Sequence, residues 1–322
     1  MKRFFITAAS GVLLLALLPL SAFAQKVLIP CGNVVGLHLK DDTVTVAAFD
    51  DRLGSAAREA GLQIGDQLVE IEGQAIEDAR DIQNVLKNGP QQVSLTVARG
   101  GKRKTIHMQP QSDSTGPKLG VYLRQGVTGI GTVTWYDPDT GRFGSLGHGV
   151  SARHGMLINL SEGSIYSAEI SQIVPGKSGQ PGLLKGSAYK DSQIGSLYRN
   201  SPQGVFGKAR GAFKGQAVPT ASFDQVHTGN ASIRSTVSGT EPREYSVEIL
   251  KIYPETRQDC RNFLLKVTDP QLLSATGGIV QGMSGSPILQ DGRIIGAVTH
   301  VMVSDPTTGY GIFIGNMLDA AA

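Results

Sequence analysis

Over the C-terminal two thirds of this 322-residue chain the apolar residues come in short runs broken by Gly, Pro, Asn and Asp. No long amphipathic helix separates them. Gly131 to Tyr136, Tyr245 to Tyr253, Phe263 to Val267, Pro287 to Leu289, Ile294 to Val303 and Gly311 to Ile314 each have the length and flanks of a strand. Regularly spaced short strands predict a sandwich or a barrel. The 41 glycines set against 18% charged residues agree, since tight turns need backbone freedom and long surface helices need charge. Gly176 to Lys214, rich in Gly, Ser and Lys, reads as long loops.

The stretch from Val27 to about Pro110 has a different pattern. Strands are expected at Val35 to Leu39, Val44 to Phe49, Leu68 to Ile71, Val93 to Ala98 and Lys104 to Met108. Two helices interrupt them, Ser55 to Ala60, stopped by Gly61, and Glu77 to Leu86, with Ala79, Ile82, Val85 and Leu86 on one face. The run Ala60-Gly61-Leu62-x-x-Gly65-Asp66, followed by Ile71-Glu72-Gly73, resembles the core of PDZ domains. That resemblance implies a groove that takes an extended peptide as an added strand. It places the groove between the second helix and Val34, Val35, Gly36, Leu37 and Leu39, with Gly32 to Leu37 as the carboxylate-binding loop. A peptide C-terminus and an internal segment are both open as occupants. The polar, turn-rich Gln111 to Pro117 reads as a linker, with a second domain from Lys118. The expected boundaries are therefore 27–110 for the PDZ domain, 111–117 for the linker and 118–322 for the domain that follows.

Lys2 and Arg3 precede an apolar run from Phe4 to Leu20 that ends in Ala22-Phe23-Ala24. Residues 1–24 thus have the layout of a secretory signal cleaved after Ala24, with a retained anchor as the alternative. Either way the remainder is expected to be exported. A formal net charge of +3 with no basic face gives no case for nucleic acid. The cluster Arg99 to Lys104 reads as a solvated hairpin turn. Cys31 and Cys260 fall in different domains and are read as two thiols, with a bridge as the alternative. Neither CxxC nor HExxH occurs, so no metal and no cofactor is expected.

The chemistry concentrates in Gly282-Met283-Ser284-Gly285-Ser286-Pro287. A serine hydroxyl becomes a nucleophile when a base takes its proton and preorganised donors receive the oxyanion. Flanking glycines let the backbone turn sharply and aim the N–H groups of Gly282 and Ser284 at a carbonyl. The pattern resembles the nucleophile loop of trypsin-like peptidases, which implies a double β-barrel and a His, Asp, Ser chain order. His300 follows Ser284 and does not fit that order as the base. His148, in Leu146-Gly147-His148-Gly149, stands at a strand end in a Gly-flanked turn and is the expected base. Between the two, the candidates for the orienting carboxylate are Asp191, Asp224, Asp259 and Asp269. The trypsin-like topology would also place Thr299, His300 and Val301 at a mainly apolar specificity pocket.

Gly129 to Pro138, Leu146-Gly-His148, Lys266-Val-Thr-Asp269-Pro, Gly277 to Pro287, Gly296 to Val301 and Asp305 to Gly311 together are similar to the stage IV sporulation protein B peptidases. That resemblance covers nearly everything after residue 24 and assigns the triad to His148, Asp269 and Ser284. It implies a mainly β chain, a small α+β PDZ domain ahead of a trypsin-like double-barrel peptidase. It also implies self-cleavage and a place in the space between forespore and mother-cell membranes. The implied substrate is a membrane-bound regulator of an intramembrane protease that matures a sigma factor. Two rival readings are a non-catalytic PDZ adaptor with a peptidase-like scaffold and a secreted quality-control protease-chaperone.

Overall fold

Alternating side chains that are buried on one face only can close a sheet on itself, and two sheets of this chain do so. The computed structural model describes residues 25–152, 155–257 and 259–322. The expected signal or anchor, residues 1–24, lies outside the described residues. No helix among the described residues is long and apolar enough to cross a membrane.

The first barrel is a ring of six antiparallel strands, in spatial order Val34–Asp41, Val127–Tyr136, Arg142–Ser145, Gly204–Ala209, Leu183–Ser201 and Leu160–Val174, the last pairing back to the first. Val35, Leu37, Leu39, Val133, Phe143, Ile165 and Val205 fill its interior. The second barrel closes through Gly229–Ser235, Arg243–Ile252, Phe263–Val267, Asp305–Phe313, Arg293–Met302 and Pro287–Gln290. Its interior is Ile233, Val247, Ile249, Phe263, Leu265, Ile288 and Val298. Trp135 and Phe206 of the first barrel join that second core, their rings 6.4 Å apart, so the barrels share packing instead of merely touching.

Between the first two strands of barrel one sits a separate sheet, in the order Val121–Arg124, Val44–Phe49, Gln67–Ile71, Val93–Arg99 and Lys102–Met108. The helices Ser55–Glu59 and Ala79–Asn88 pack on it, the second opened by a capping box of Asp78 and Asp81. Arg99 pairs with Lys102 across a Gly100-Gly101 turn, as the basic cluster predicts.

Here the structure corrects the expected boundaries. The PDZ module lies N-terminal to most of the peptidase domain, but the strand Val34–Asp41 ahead of it pairs into the first barrel. Val34, Val35, Gly36, Leu37 and Leu39 are barrel residues, bonded on one side to Val127–Tyr136 and on the other to Leu160–Val174, so neither edge is free for a peptide. Ala188 lies where a Cβ on Gly36 would be, at 2.3 Å. The sheet of the module has two edges, Lys102–Met108 and Val121–Arg124, and among the described residues the second pairs only with Val44–Phe49. Between that edge and the Ala79–Asn88 helix lies a cavity of about 250 Å³, lined by Leu53, Ile82, Leu86, Leu119, Val121 and Leu123 among others. At the mouth, Gly120 is left-handed, with φ +71°, and a Cβ there would stand 1.9 Å from the Leu53 carbonyl. The expected linker is a hairpin, Gln111–Asp113 with Gly116–Lys118. Gly176 to Lys214, expected as loops, contains the 19-residue strand Leu183–Ser201. Its polar residues reflect exposure beyond the barrel rim, and three register shifts bend its hairpin with Leu160–Val174.

The turn that carries the PDZ resemblance is held by one buried carboxylate. Asp66, fully buried, receives Arg99 Nε at 2.6 Å and Nη2 at 2.7 Å, accepts from the Gln63 N–H at 2.8 Å, and Arg99 also donates to Gly61 O. Removing one partner of such a pair strands the other charge. Because Arg99 is itself 30% exposed, Arg99→Ala is expected to cost about 3 kcal/mol, at the low end for a stranded buried charge. The measurement is a thermal melt, in which the module should unfold at least ~10 °C earlier; an unchanged midpoint would show that the pair is not holding this turn.

Candidate active site

The loop Gly282 to Pro287 owes its shape to two left-handed glycines, Gly282 at φ 101° and Gly285 at φ 95°. It is held from both barrels. Thr132 of the first barrel donates its backbone N–H to Ser284 O at 3.3 Å and its hydroxyl to Gly282 O at 2.8 Å. On the other side, the Gly285 N–H donates to Val298 O at 2.8 Å, and Ser286 Oγ lies 2.9 Å from Ser235 Oγ in a buried pair. Among the described residues, the N–H groups of Gly282 and Ser284 have no hydrogen-bond partner. Ser284 Oγ donates to Thr299 O at 2.9 Å.

His148 follows the Arg142–Ser145 strand through two consecutive left-handed residues, Leu146 at φ 68° and Gly147 at φ 67°. Only the second is a glycine, so the turn carries strain at Leu146 that the surrounding structure must hold. A Cβ on Gly147 would lie 2.9 Å from Thr299 Cγ2 and 3.1 Å from Ile312 Cγ2, so this turn is seated directly on the second barrel. Beyond it, Asn200 pins the chain, accepting from the Val150 N–H and donating to Val150 O and Ile158 O.

The imidazole is oriented by its own turn. His148 Nδ1 is 3.0 Å from Gly149 O. A carbonyl can only accept, so the proton sits on Nδ1 and Nε2 is left with its lone pair. Burial holds this histidine below its ordinary imidazole value, opposed in part by the Gly149 carbonyl. His148 and Ser284 line one cavity of about 340 Å³ together with Leu37, Leu39, Ile130 and Leu146.

Residues 116–318 match the SpoIVB peptidase S55 family, and residues 52–99 match the PDZ domain. The chain belongs to the SpoIVB peptidase S55 family. Its fold is mainly β, a double barrel that carries a PDZ module. Beyond the family, a Bartonella henselae protein named "Putative zinc metalloprotease BH06270" is 33% identical over 86 residues, 26% of this chain and 24% of its own length. A Rhizobium meliloti protein of the same designation, R01501, is 31% identical over 127 residues, 39% of this chain and 32% of that protein. The chain spans about a quarter to a third of the length of these curated relatives. Among solved structures, the active form of the Rv3671c protease from M. tuberculosis is 13% identical, covering 62% of this chain and 75% of that one at a TM-score of 0.37. The PDZ domain of an SdrC-like protein from Listeria monocytogenes is 23% identical, covering 26% of this chain and 87% of that one at 0.23.

In this S55 peptidase the remaining expected site residues fall differently. Asp269 is the N-cap of the Pro270–Thr276 helix. Its Oδ1 accepts from Gln271 N and Leu272 N, both at 2.9 Å, and its Oδ2 from Ser246 N at 3.4 Å. Its carboxylate is therefore committed to the helix terminus, and it does not line the cavity that holds His148 and Ser284. Among the described residues no hydrogen bond joins it to His148. Nor do Thr299, His300 and Val301 line that cavity. The Thr299 side chain is buried in the second barrel, its one hydroxyl proton shared between Cys260 O at 3.0 Å and Tyr310 O at 3.2 Å, and Val301 packs on the core. The apolar wall comes instead from Leu37, Leu39, Val127 and Ile130 of the first barrel. His300 is different again, with its ring centroid 5.5 Å from that of His148. Cys31 and Cys260 are both free and buried, and burial raises both thiols, Cys260 to about 11.

The open PDZ edge did carry a signal in the sequence. Lys118-Leu119-Gly120-Val121 keeps the Leu-Gly-apolar part of the Gly-Leu-Gly-Phe loop that the family uses, just ahead of the edge strand.

Proposed function

We propose that this S55 peptidase is an exported regulatory endopeptidase of sporulation signalling, which cuts a membrane-bound regulator of an intramembrane protease and also its own chain. Ser284 Oγ attacks the scissile carbonyl carbon while His148 Nε2 takes its proton. The N–H groups of Gly282 and Ser284 hold the developing oxyanion. His148 then returns the proton to the leaving amine as the C–N bond breaks, and water, deprotonated by the same nitrogen, hydrolyses the acyl-enzyme. The observation that carries this reading is a serine with two unpartnered N–H groups on its loop, sharing one cavity with a histidine whose Nε2 is unprotonated. The hydroxyl must leave Thr299 O to reach that nitrogen, as catalytic hydrogen bonds often form only once substrate is bound. Leu37, Leu39, Val127 and Ile130 fit an apolar substrate side chain. The PDZ groove at Val121–Arg124 fits a strand of the regulator, with apolar side chains at Ile82, Leu86 and Leu119.

The test is incubation of the purified chain with an ectodomain of such a regulator, or with a panel of denatured proteins, followed by mass spectrometry of the fragments. Defined cuts in the ectodomain and none in the panel support the regulatory reading. Broad cutting of the panel would replace it with a quality-control protease, and no cutting of either, nor of the chain itself, would favour a binding scaffold.

The pH dependence follows from the buried histidine. His148 works only when neutral, and burial lowers its pKa. The acid limb of kcat/KM is therefore expected below about 6.5, the ordinary imidazole value. A limb at or above 6.5 would contradict a buried general base. Folding is linked in the same direction. An imidazole buried neutral is protonated first in the unfolded chain, so stability is full above about 6.5 and is lost as pH falls below it. For His300, lowered to about 4, the loss continues down to that value.

A further inference from the structure

We infer that this peptidase selects its substrate on the leaving-group side: the active-site cavity takes an apolar residue that follows the scissile bond, and the chain beyond it runs through an adjoining trough to the edge of the PDZ module. The inference rests on the reading of Ser284 as nucleophile and His148 as general base. The chemistry of that reading decides which side of the bond the cavity serves. The departing amine receives its proton from His148 Nε2, so the leaving nitrogen stands against the imidazole. The cavity of about 340 Å³ is lined by His148 and the three residues after it, and by Gln281 and Gly282 just ahead of the nucleophile. The side chain of the residue that carries the leaving nitrogen therefore enters it, against Leu37, Leu39, Val127 and Ile130. The acyl side lies elsewhere. Ser284 Oγ rests on Thr299 O, and Thr299, His300 and Val301 do not line this cavity. The far end of their strand is closed by a turn of the same chain, where the Gly179 N–H donates to Val303 O at 2.9 Å and Ser178 Oγ to Ser304 O at 2.8 Å. An acyl segment laid along that strand meets this turn at Val303.

On the leaving-group side the path stays open. A second cavity, of about 460 Å³, adjoins the first, and three stretches of chain pass from the lining of one to that of the other: Leu39 to Asp41, Val127 back to Arg124, and Ser151 to Ala152. It lies between the PDZ module and the turn that follows His148. The Asp42 N–H donates to Asn159 O at 3.1 Å and Asn159 Nδ2 donates to Asp42 Oδ2, which ties the two together beside the trough. Ile64 of the module is 56% exposed there, and Met156 and Leu157 of the turn are 61% and 40% exposed. Apolar side chains left in water along a channel continuous with the active site fit the polypeptide that leaves it. The trough ends at Arg124, the last residue of the edge strand Val121–Arg124. A segment entering at Arg124 and running on towards Val121 is antiparallel to that strand, the sense in which an added strand can pair with it. Its C-terminal end then arrives at the Leu119-Gly120 turn. The PDZ groove thus receives the part of the substrate that follows the cut.

This arrangement has a kinetic consequence. When the C–N bond breaks, the new amine carries the proton from Nε2 and is still seated in the cavity, so it must depart before water can take its place beside the imidazole. The same seat serves the reverse step. An added amine bound there gives a proton to Nε2 and attacks the acyl carbonyl carbon, and Ser284 Oγ leaves with that proton, which forms a new amide in place of the acid. The choice among added amines therefore reports what the cavity holds, separately from whatever the acyl side selects.

The experiment gives the full chain a synthetic peptide library, reads the cuts by mass spectrometry, and then varies one cleaved peptide on each side of the bond, with Ser284→Ala as the control. Leu, Ile, Val or Met is expected after the bond, and Asp at that place should lower kcat/KM by ~10²-fold. Leucinamide should intercept the acyl-enzyme at least ~10-fold better than glycinamide. Val127→Ala should narrow that ratio. Lengthening the peptide C-terminally until it reaches the PDZ edge should raise kcat/KM, and Met156→Asp, at an exposed position that folding tolerates, should reduce the gain. If Val127→Ala does not fold, the two amides with the wild-type chain decide. Selectivity confined to the residue before the bond, with the two amides equal, would overturn this inference while Ser284→Ala, still inactive, upheld the nucleophile. An equal gain from N-terminal lengthening would remove the trough from the path. Cleavage surviving in Ser284→Ala, or no cut in any member of the library, would overturn the reading of the site itself.

Discussion

Replacing Ser284 with alanine is expected to lower peptide hydrolysis by ~10⁴- to 10⁶-fold while leaving the fold intact. The hydroxyl makes one protein hydrogen bond, to Thr299 O, so its removal costs about 1 kcal/mol of stability. The loop keeps its other ties, from Thr132 to Ser284 O and Gly282 O and from Gly285 to Val298 O. Those ties use backbone atoms and a threonine hydroxyl that the substitution does not touch. His148→Ala should fall to a similar level, and the double variant little further, because nucleophile and base act as one unit. The residual rate would be that of the two loop N–H groups and substrate binding. Fragment yields by mass spectrometry, set beside a melting curve, separate the chemistry from folding. Two independent losses that multiplied in the double variant would mean that the residues do not work on the same proton.

The second large effect is expected at Gly285, where no hydroxyl or charge is involved. A Cβ there would stand 2.2 Å from Thr132 O and 2.5 Å from Leu146 N. Both are backbone atoms that cannot swing aside. The residue is also left-handed, which costs an L side chain ~1–2 kcal/mol. Overpacking adds roughly 1–3 kcal/mol. Gly285→Ala should therefore destabilise by about 2–5 kcal/mol by the sum of those two effects. It should also inactivate the molecules that do fold, since Leu146 lies two residues before His148 and Thr132 holds the Ser284 peptide. Covalent labelling of Ser284 by a fluorophosphonate, counted per folded molecule, reads this directly. Normal labelling in a stable variant would show that the seam between the barrels has slack that these distances deny.

The nucleophile loop was legible in the sequence because its chemistry and its geometry need the same glycines. Gly282 and Gly285 are left-handed where a sharp turn requires them. His148 was legible for a related reason, standing after Gly147 in a turn whose close approach to Thr299 and Ile312 excludes a side chain. The short apolar runs located Arg243–Ile252, Phe263–Val267, Pro287–Gln290 and Arg293–Met302 of the second barrel, but Gly229–Ser235, whose sequence is mostly polar, gave no such run. Partner choice was not legible. Val34–Asp41 reads as a strand, but nothing in its alternation says that its neighbour is Val127–Tyr136 and not the PDZ sheet that comes next in the chain. Adjacency in sequence is a good prior for pairing, and an inserted module defeats it. Asp269 carried two signals at once. Asp269-Pro270 is a helix start, an N-cap followed by proline at the first turn, and that local signal was present beside the family resemblance that outweighed it.

The insertion of the PDZ module also governs how the first barrel can form. Its opening strand ends at Asp41 and must wait for Val127 before it can pair with the next. Joining those ends across an unfolded chain of that length would cost roughly 4 kcal/mol of closure entropy. The folded module removes most of that cost. Its first and last strands leave it side by side, with Thr45 opposite Arg124, and the same ladder direction continues with Leu39 opposite Val127. Once folded, the module therefore acts as an oversized β-turn that delivers two distant strands in register. Its folding thereby lowers the entropic cost of closing the first barrel, before any peptide has occupied its groove.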